Sequence, residues 1–225
     1  MDAEFIGTQE QTKTPSNNNV YVVWREFVTP DNAEIFFAAS YDNGKTFSTP
    51  INISNTPENS FDPQLITEGN NVYVVWREEV TIDNNEIFFT ASNNNGQTFT
   101  DPPDNLSNTP ESSFDPKISS EGNNVYVVWE EILENVAVFY IASDDNGNTF
   151  PTSSVNLSNK EGGSLNPQIS SGGNNVYVVW DDNTPGPSEI LFKLSDNSGD
   201  DFDEDDNLSK STVDSAFPQI SSNTS

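Results

Sequence analysis

The clearest hydrophobic pattern in this sequence is a six-residue segment that occurs four times. The segment is Asn-Val-Tyr-Val-Val-Trp, and its copies end at Trp24, Trp76, Trp129 and Trp180, at a period of 51 to 53 residues. β-Branched and aromatic residues in such a run are typical of a β-strand. Apolar side chains alternate onto both faces of this strand, so each copy needs cover on both sides. Near-identical strands at a fixed period indicate that neighbouring repeats provide that cover.

Each repeat contains four strand-like pieces. In the second repeat these are a short strand at 63–66, the repeated strand at 72–76, a strand at 86–91 after a longer loop at 77–85, and a last strand that ends near 105–107. Four antiparallel strands in a unit of this length have the size of one propeller blade. No segment has helical periodicity. We therefore predict an all-β fold, a β-propeller of four four-stranded antiparallel blades.

The phase of the repeats predicts how the ring closes. The first repeat begins at its second strand, and a copy of the first strand, Phe217-Pro218-Gln219-Ile220, comes last. Pairing of the N- and C-terminal strands would complete the first blade and remove exposed sheet edges. The alternative is a strand-swapped homodimer, in which two chains form one eight-bladed ring. The predicted domains are a polar lead-in at 1–16 and one propeller at 17–225, with blades at about 17–56 plus 217–222, 61–108, 114–159 and 165–210.

Composition narrows the classes of function. The 225 residues carry a formal net charge of −28, which repels phosphate backbones and makes nucleic acid and anionic membranes poor partners. The absence of Cys and His excludes thiol chemistry, the usual zinc sites and imidazole-based catalysis. No run of 18 apolar residues predicts a membrane span. Residues 1–15 have no secretory signal pattern, so either the mature protein starts here or the sequence is a truncated or engineered piece of a longer array.

The loop between the third and fourth strands has a specific pattern. Its first copy, Ser40-Tyr41-Asp42-Asn43-Gly44-Lys45-Thr46-Phe47, resembles the Asp-box, Ser-x-Asp-x-Gly-x-Thr-aromatic, of sialidases and many other propellers. We expect the Asp to cap a tight turn and the Gly to adopt a positive φ. The copies depart from the pattern where Asn94 and Asn197 replace Asp and where Asp201 replaces Thr. The predicted structural positions are Ser40, Asp42, Gly44, Ser92, Asn94, Gly96, Ser143, Asp145, Gly147, Ser195, Asn197 and Gly199.

The resemblance implies a propeller fold and does not carry an activity with it. Sialidases hold the substrate carboxylate with three arginines and use a Tyr–Glu nucleophile pair with an acidic proton donor. This chain has only Arg25 and Arg77, both at the same repeat position. Lysine does not supply the bidentate fork of a third guanidinium. We therefore expect no sialidase activity.

The loops after the repeated strand are the predicted ligand-binding positions. They emerge on one face of a propeller, near its axis. An alternative interpretation is a hairpin base in which Arg25 pairs with Glu34 and Arg77 with Glu86. The predicted ligand-binding residues are Arg25, Glu26, Arg77, Glu78, Glu130, Glu131, Asp181 and Asp182.

A second set of candidates precedes the first strand of each blade. Inner strands surround the axis, so Asp62, Asp115 and Asn166 could meet at the channel and bind Ca²⁺ through oxygen ligands. Alternatively, Asp or Asn before Pro only sets a local turn. No cofactor is predicted to be required, and Ca²⁺ is a possible ligand.

Asn-x-Ser recurs at Asn52, Asn105, Asn156 and Asn207. These segments match N-glycosylation acceptors, although a repeated strand ending explains them more simply.

The leading hypothesis is a non-catalytic extracellular or cell-surface module that binds carbohydrate or protein through its loop face. The first alternative is a polysaccharide-acting glycoside hydrolase with paired carboxylates. The second is a purely structural or engineered repeat scaffold.

Overall fold

The fold is all-β. The structure, a computed structural model, describes residues 18–159, 161–184 and 186–223, and these form fifteen strands and no helix. Accordingly, nothing in these ranges is a helix long and apolar enough to cross a membrane. The predicted lead-in at 1–16 lies outside the described residues.

Four antiparallel sheets follow one another along the chain, and each is a propeller blade. Blade 1 contains β1 (Val20–Thr29), β2 (Asn32–Ser40) and β3 (Ile51–Asn52). Blade 2 contains β4 (Ser60–Glu68), β5 (Asn71–Thr81), β6 (Asn84–Ser92) and β7 (Asp104–Asn105). Blade 3 contains β8 (Ser113–Glu121), β9 (Asn124–Ile132), β10 (Val136–Ser143) and β11 (Val155–Asn156). Blade 4 contains β12 (Ser164–Gly172), β13 (Asn175–Asp182), β14 (Glu189–Ser195) and β15 (Asp206–Asn207). The prediction of a four-bladed β-propeller chain is confirmed.

The hydrophobic core lies between the blades. Ile35 and Phe37 of blade 1 pack with Val72, Val74 and Trp76 of blade 2, all of them buried. Equivalent clusters lie between blades 2 and 3 and between blades 3 and 4. The repeated strand therefore has the predicted role. Its Trp packs one blade against the preceding one. Trp76, Trp129 and Trp180 are each 0% exposed.

The predicted closure of the ring differs from the structure. Among the described residues β1 pairs only with β2, so blade 1 has three strands. Residues 216–223 form no strand, and the Ser222 amide donates to Ser170 Oγ of β12 at 3.0 Å. The C-terminal segment lies beside blade 4 because serine groups link one inner-strand position to the next. Inner strands β8 and β12 are linked in the same way, by the Ser119 and Ser171 hydroxyls at 2.7 Å. The C-terminal segment thus occupies the inner-strand position after blade 4, at the opposite end of the row from β1.

Two strand boundaries also differ from prediction. The region 77–85 is part of a hairpin rather than a long loop, because the ladder continues through Arg77↔Ile87 and Glu78↔Glu86. This register also excludes the predicted Arg77–Glu86 pairing, and Arg25 lies opposite Ile35 in the same way. The inner strands begin earlier than predicted, at Ser60 in blade 2, and continue through a bulge in which Asp62 has a φ of 52°.

Candidate active site

The Asp-box loops make the predicted turn contacts. Asp42 accepts hydrogen bonds from the Ser40 hydroxyl at 2.8 Å and from the Thr46 amide at 2.9 Å. The hydrogen bonds from the Thr46 amide and hydroxyl, and from Ser40, lower the pKa of Asp42 to about 2. Asn94 makes the same contacts, since its Oδ1 accepts from the Ser92 hydroxyl at 2.9 Å and from the Thr98 amide at 3.0 Å. Replacement of Asp by Asn therefore preserves the turn. The glycines at these turns have the predicted positive φ; they are Gly44, Gly96, Gly147 and Gly199.

The repeated Asn-x-Ser segment also has a structural role. Asn52 Oδ1 accepts the amide hydrogen of Asn55 at 3.0 Å, and this turn recurs at Asn105, Asn156 and Asn207. The hydroxyl of Ser54 donates to the buried Glu34 carboxylate at 2.5 Å and accepts from the Ile35 amide at 2.9 Å. These contacts account for the segment without a glycan.

The predicted ligand-binding residues lie on strands, not in loops, and they divide into two positions. We call the residue directly after the repeated Trp the axial position, and the next residue the joint position. The axial residues are Arg25, Arg77, Glu130 and Asp181, and the joint residues are Glu26, Glu78, Glu131 and Asp182. Neighbouring residues of a strand point to opposite faces, so the two positions have different surroundings.

Joint residues stabilise the packing of one blade on the next. Glu131 is 1% exposed, and its carboxylate accepts from Trp129 Nε1 at 2.8 Å, from Ser113 Oγ at 3.1 Å and from Thr109 Oγ1 at 2.7 Å. Glu78 of blade 2 accepts from the equivalent Trp, Ser and Thr, and burial raises its pKa. These buried carboxylates are fully engaged within the protein. The joint residues of blades 2 and 3 are therefore structural.

The axial arginines form a row with aromatic side chains. The Arg77 guanidinium carbon lies 4.3 Å from the centre of the Phe61 ring and 5.2 Å from that of Phe114. The Arg25 guanidinium carbon lies 5.3 Å from the centre of the Phe61 ring. Arg77 also forms an ion pair with Asp62 at 3.1 Å. Alternating guanidinium and ring faces therefore line the part of the structure where the inner strands begin.

This row leads to Glu130, which sequence reasoning did not separate from the other acids. Phe114 and Glu130 are cross-strand partners, and the Glu130 Oε1 accepts the Asn166 amide hydrogen at 2.7 Å. Burial raises the pKa of Glu130. The Asn166 amide and the Lys117 ammonium oppose the rise, while the carboxylates of Asp115 and Asp181 add to it. The signal in the sequence is that an acid replaces Arg at the axial position from blade 3 onward.

Asp115 is the exposed carboxylate of this cluster. Its side chain is 42% exposed, and its Oδ1 accepts a hydrogen bond from the Lys117 ammonium. Asp181, by contrast, is buried, accepts the Asn166 side-chain amide at 2.8 Å and accepts the Phe217 amide at 3.2 Å. Asp181 therefore positions the Asn166 side chain and the backbone at Phe217, whereas Asp115 is accessible from solvent.

The three residues proposed for Ca²⁺ have other partners here. Asp62 contacts Arg77, Asp115 contacts Lys117, and Asn166 donates to Asp181. In the described ranges no three or more carboxylates come together in a way that would hold a metal ion. Calcium binding stays a prediction.

A surface cleft lies at the other end of the strands, between the Asp-box loops of blades 2 and 3. It is lined by amides and hydroxyls such as those of Asn71, Ser92 and Asn148, and by no titratable side chain. This cleft has no group that could exchange a proton. We place the candidate active site, defined by Glu130, Asp115 and Lys117 with the adjacent Arg–Phe row, at the axial end, because the partly buried carboxyl group of Glu130 and the exposed carboxylate of Asp115 interact there.

Comparison with solved structures identifies the fold. An ulvan lyase bound to a glucuronate–rhamnose sulfate oligosaccharide matches with a TM-score of 0.60 and 12% identity, over 89% of this chain and 58% of that chain. An α-L-arabinofuranosidase of Fusarium graminearum, in complex with arabinobiose, matches with a TM-score of 0.56 and 15% identity, over 81% of this chain and 60% of that chain. A Hadza microbial sialidase matches with a TM-score of 0.52 and 14% identity, over 76% of this chain and 40% of that chain. The chain thus spans between 40 and 60% of the length of these three proteins.

No protein-family profile matches the chain. No curated protein matches it either. The fold is a β-propeller of the kind found in sialidases and glycoside hydrolases.

The comparisons correct the leading functional hypothesis. Several of the matched structures are enzymes that cleave glycans, among them a lyase, an arabinanase of Penicillium chrysogenum and an arabinofuranosidase. The prediction of a non-catalytic binding module, and with it the prediction that the chain is not an enzyme, is wrong against this finding. Missing His, Cys and a third Arg excluded particular mechanisms, but glycoside hydrolysis needs only two carboxylates.

Proposed function

We propose that this chain hydrolyses glycosidic bonds in a polysaccharide, with Glu130 as proton donor and Asp115 as the second carboxylate. One observation carries the proposal. The carboxyl group of Glu130 has a pKa raised by burial and lies within electrostatic reach of the exposed carboxylate of Asp115. A pair of acids in unlike surroundings is what glycoside hydrolysis requires.

The different surroundings assign the two roles. A raised pKa means that Glu130 keeps its proton to higher pH than an ordinary glutamate, so it can protonate the leaving oxygen. Asp115 is solvent-exposed and lies beside the Lys117 ammonium, where it can contact a water molecule or the anomeric carbon. Lys117 and the Asn166 amide then hold the two carboxylates in place.

Substrate binding is assigned to the Arg–Phe row. Arg25 and Arg77 offer hydrogen-bond donors for the hydroxyl or acidic groups of sugars, and the rings of Phe61 and Phe114 hold these arginines in place through their faces. Because the row ends at the cross-strand partner of Glu130, a chain of several sugars would pass the proton donor. This arrangement suits a polymer better than a monosaccharide.

Membership of the Asp-box repeat family is part of the proposal. It is supported by four copies of the loop pattern and by their turn contacts. An extracellular location is also proposed, because polysaccharide substrates lie outside the cell.

The test is release of reducing sugar from a panel of polysaccharides that includes arabinan and ulvan. We expect Glu130→Gln and Asp115→Asn to reduce the rate on the active substrate by about 10²- to 10⁴-fold, the usual contribution of acid–base catalysis. Glu26→Gln, an exposed acid of blade 1, is the matched control and should retain full activity. Thermal melting of all variants establishes that they are folded.

Two outcomes would contradict the proposal. One is activity that survives both substitutions in folded protein. The other is cleavage that yields an unsaturated product absorbing in the ultraviolet, which would indicate a lyase rather than a hydrolase.

A further inference from the structure

The two ends of the blade row expose complementary halves of the contact that holds the blades together. Inside the protein, each contact joins two surfaces. The trailing face of one blade, with Ile35, Phe37 and Ile53 in blade 1, packs on the leading face of the next, with Val72 and Val74 in blade 2. The same contact forms between blades 2 and 3 and between blades 3 and 4. Blade 1 has a leading face and blade 4 a trailing face, and neither is covered by a blade in this structure.

The leading face of blade 1 is exposed where its equivalents are buried. Val20 is 37% exposed and Val22 is 41% exposed, whereas Val72 and Val74 are at 0%. The trailing face of blade 4 is exposed in the same way. Leu208 is 57% exposed, against 6% for its equivalent in blade 2, Leu106. Each end therefore leaves uncovered an apolar surface that elsewhere in the chain is core.

An aromatic contact between neighbouring blades shows which residues of the two exposed faces correspond. Inside the row, the Asp-box aromatic residue of each blade meets a ring of the preceding blade edge-on: Phe99 on Phe37 at 4.8 Å, Phe150 on Phe89 at 5.0 Å and Phe202 on Tyr140 at 5.0 Å.

The fourth such pair lacks its partner in this structure. Phe47 of blade 1 is 46% exposed and has no ring contact within the described part of the chain. Its counterpart by position is Phe192 of blade 4, which among the described residues stacks on Tyr177 of its own blade.

Glycine at the same turns gives independent support. A Cβ on Gly96 would lie 2.5 Å from the Phe37 ring, and one on Gly147 would lie 2.6 Å from the Phe89 ring. These glycines give the preceding blade room for its aromatic residue. Gly44 of blade 1 has the same backbone conformation, and the nearest atom to its Cβ position is a Val20 methyl at 3.8 Å. Blade 1 thus has a preformed place for an aromatic ring, and no ring of the described residues occupies it.

A segment that could serve as the inner strand of blade 1, which has none among the described residues, is also available. Residues 216–223 hold the inner-strand position beyond blade 4 through Asp181 and Ser170. In blade 2 the inner strand pairs as Gln64↔Val75 and Leu65↔Val74. By the repeat, the corresponding pairs are Gln219 opposite Val23 and Ile220 opposite Val22.

We propose that two copies of this chain join head to tail into one eight-bladed ring. The trailing face of blade 4 of each copy covers the leading face of blade 1 of the other. Residues 217–222 supply the inner strand that no described residue of the same chain provides for β1. Phe47 of one copy then meets Phe192 of the second copy edge-on. Because the two contacts are equivalent, the ring has twofold symmetry and leaves neither face exposed. This inference does not depend on the proposed enzymatic activity.

The first test is the mass of the 225-residue chain by size-exclusion chromatography with light scattering. We expect about 50 kDa at micromolar concentration rather than the 24.8 kDa of one chain. Phe47→Glu should raise the dissociation constant on the order of 100-fold or more, because the charge is buried twice in each dimer. Ile82→Glu, at an 88% exposed position away from both faces, adds the same charge and should leave the dimer intact.

The second test uses the absence of cysteine from the sequence. The double variant Val22→Cys with Ile220→Cys should form a disulfide between two chains under mild oxidation, visible on a non-reducing gel. The equivalent pair in blade 2, Leu65→Cys with Val74→Cys, should link within one chain and serves as the positive control. A monomer of 24.8 kDa, or a link within one chain between positions 22 and 220, would overturn the proposal.

Discussion

Two adjacent positions on the second strand of each blade differ in what the protein does with them. The joint residue is an acid in all four blades, and in blades 2 and 3 it binds the same Trp, Ser and Thr donors. The axial residue changes from Arg in blades 1 and 2 to Glu130 and Asp181 in blades 3 and 4. A side chain that recurs in successive blades together with its hydrogen-bond donors stabilises the fold. One that changes while the strand around it stays the same is free to serve a site.

The difference follows from which face of the strand each residue lies on. Joint residues share a face with the repeated Trp, whose buried indole needs an acceptor. Axial residues point to the opposite face, where the inner strand begins with a bulge and has an irregular backbone. The polar groups there meet solvent or one another. The same strand therefore supplies both a structural acid and a candidate catalytic one.

The largest expected effect is on stability, through a joint residue. Glu131→Ala would leave the donors of Trp129, Ser113 and Thr109 buried without an acceptor. We expect the free energy of unfolding to fall by about 3 kcal/mol or more, at about 1 to 3 kcal/mol for each unsatisfied group. Urea denaturation measures this change. Glu134→Ala, at an exposed position in the hairpin of blade 3, should cost less than about 1 kcal/mol, because that side chain borders solvent. Equal losses for the two variants would show that burial of the joint does not matter.

A smaller effect of opposite sign is expected in blade 4. Its joint residue is Asp182, which is one methylene shorter than Glu and binds Ser164 Oγ at 2.5 Å. The buried indole nitrogen of Trp180 consequently has no hydrogen-bond partner within the described residues. Asp182→Glu should supply the acceptor and raise the free energy of unfolding by about 1 kcal/mol. Asp181→Glu, the same change at the axial position, should give no such gain. A loss of stability in the Asp182 variant would mean that the joint in blade 4 has no room for glutamate.

The smallest effect is a displacement of the pH profile through the axial cluster. The Lys117 ammonium lowers the pKa of Glu130, so Lys117→Met should raise it further. A general acid must be protonated to act, and activity is lost as pH rises through its pKa. The basic limb of kcat/KM should therefore move to higher pH, by less than about one unit for a single partly exposed charge. Lys193→Met removes a lysine that pairs with Asp205 in blade 4 and should leave the limb unchanged. A limb that moves to lower pH would exclude Glu130 as the proton donor.

Most of the fold could be predicted because the sequence contains four copies of the same repeat. The period, the Asp-box loops and the paired faces of the repeated strand all follow from local sequence. Closure could not be predicted in the same way. Whether Ile220 pairs with Val22 of the same chain depends on the angle between successive blades, and no single repeat encodes that angle.

The site could be predicted only in part. The sequence places Arg77, Glu130 and Asp181 at one repeat position, but it does not show that Glu131 faces the core while Glu130 faces the axis. That distinction requires knowing that the hairpin ladder continues beyond the Trp, which extends β9 to Ile132. Apart from Arg25 and Arg77, the residues at the axial and joint positions are all acids. Their acidity alone does not distinguish a buried hydrogen-bond acceptor from a proposed proton donor.

The threonine that follows each Asn-x-Ser turn in blades 1 and 2 has a further consequence for how the protein unfolds. The Thr109 amide donates to Glu86 of blade 2 at 3.1 Å, while its hydroxyl donates to Glu131 of blade 3 at 2.7 Å. Thr56 connects Glu34 and Glu78 in the same manner. One residue thus forms hydrogen bonds to buried carboxyl groups on two consecutive sheets, and neither sheet can separate from the other without breaking one of these bonds. Repeat proteins often fray from their ends inward. Here the threonines couple neighbouring sheets energetically, which favours loss of blades 1 to 3 as one cooperative unit.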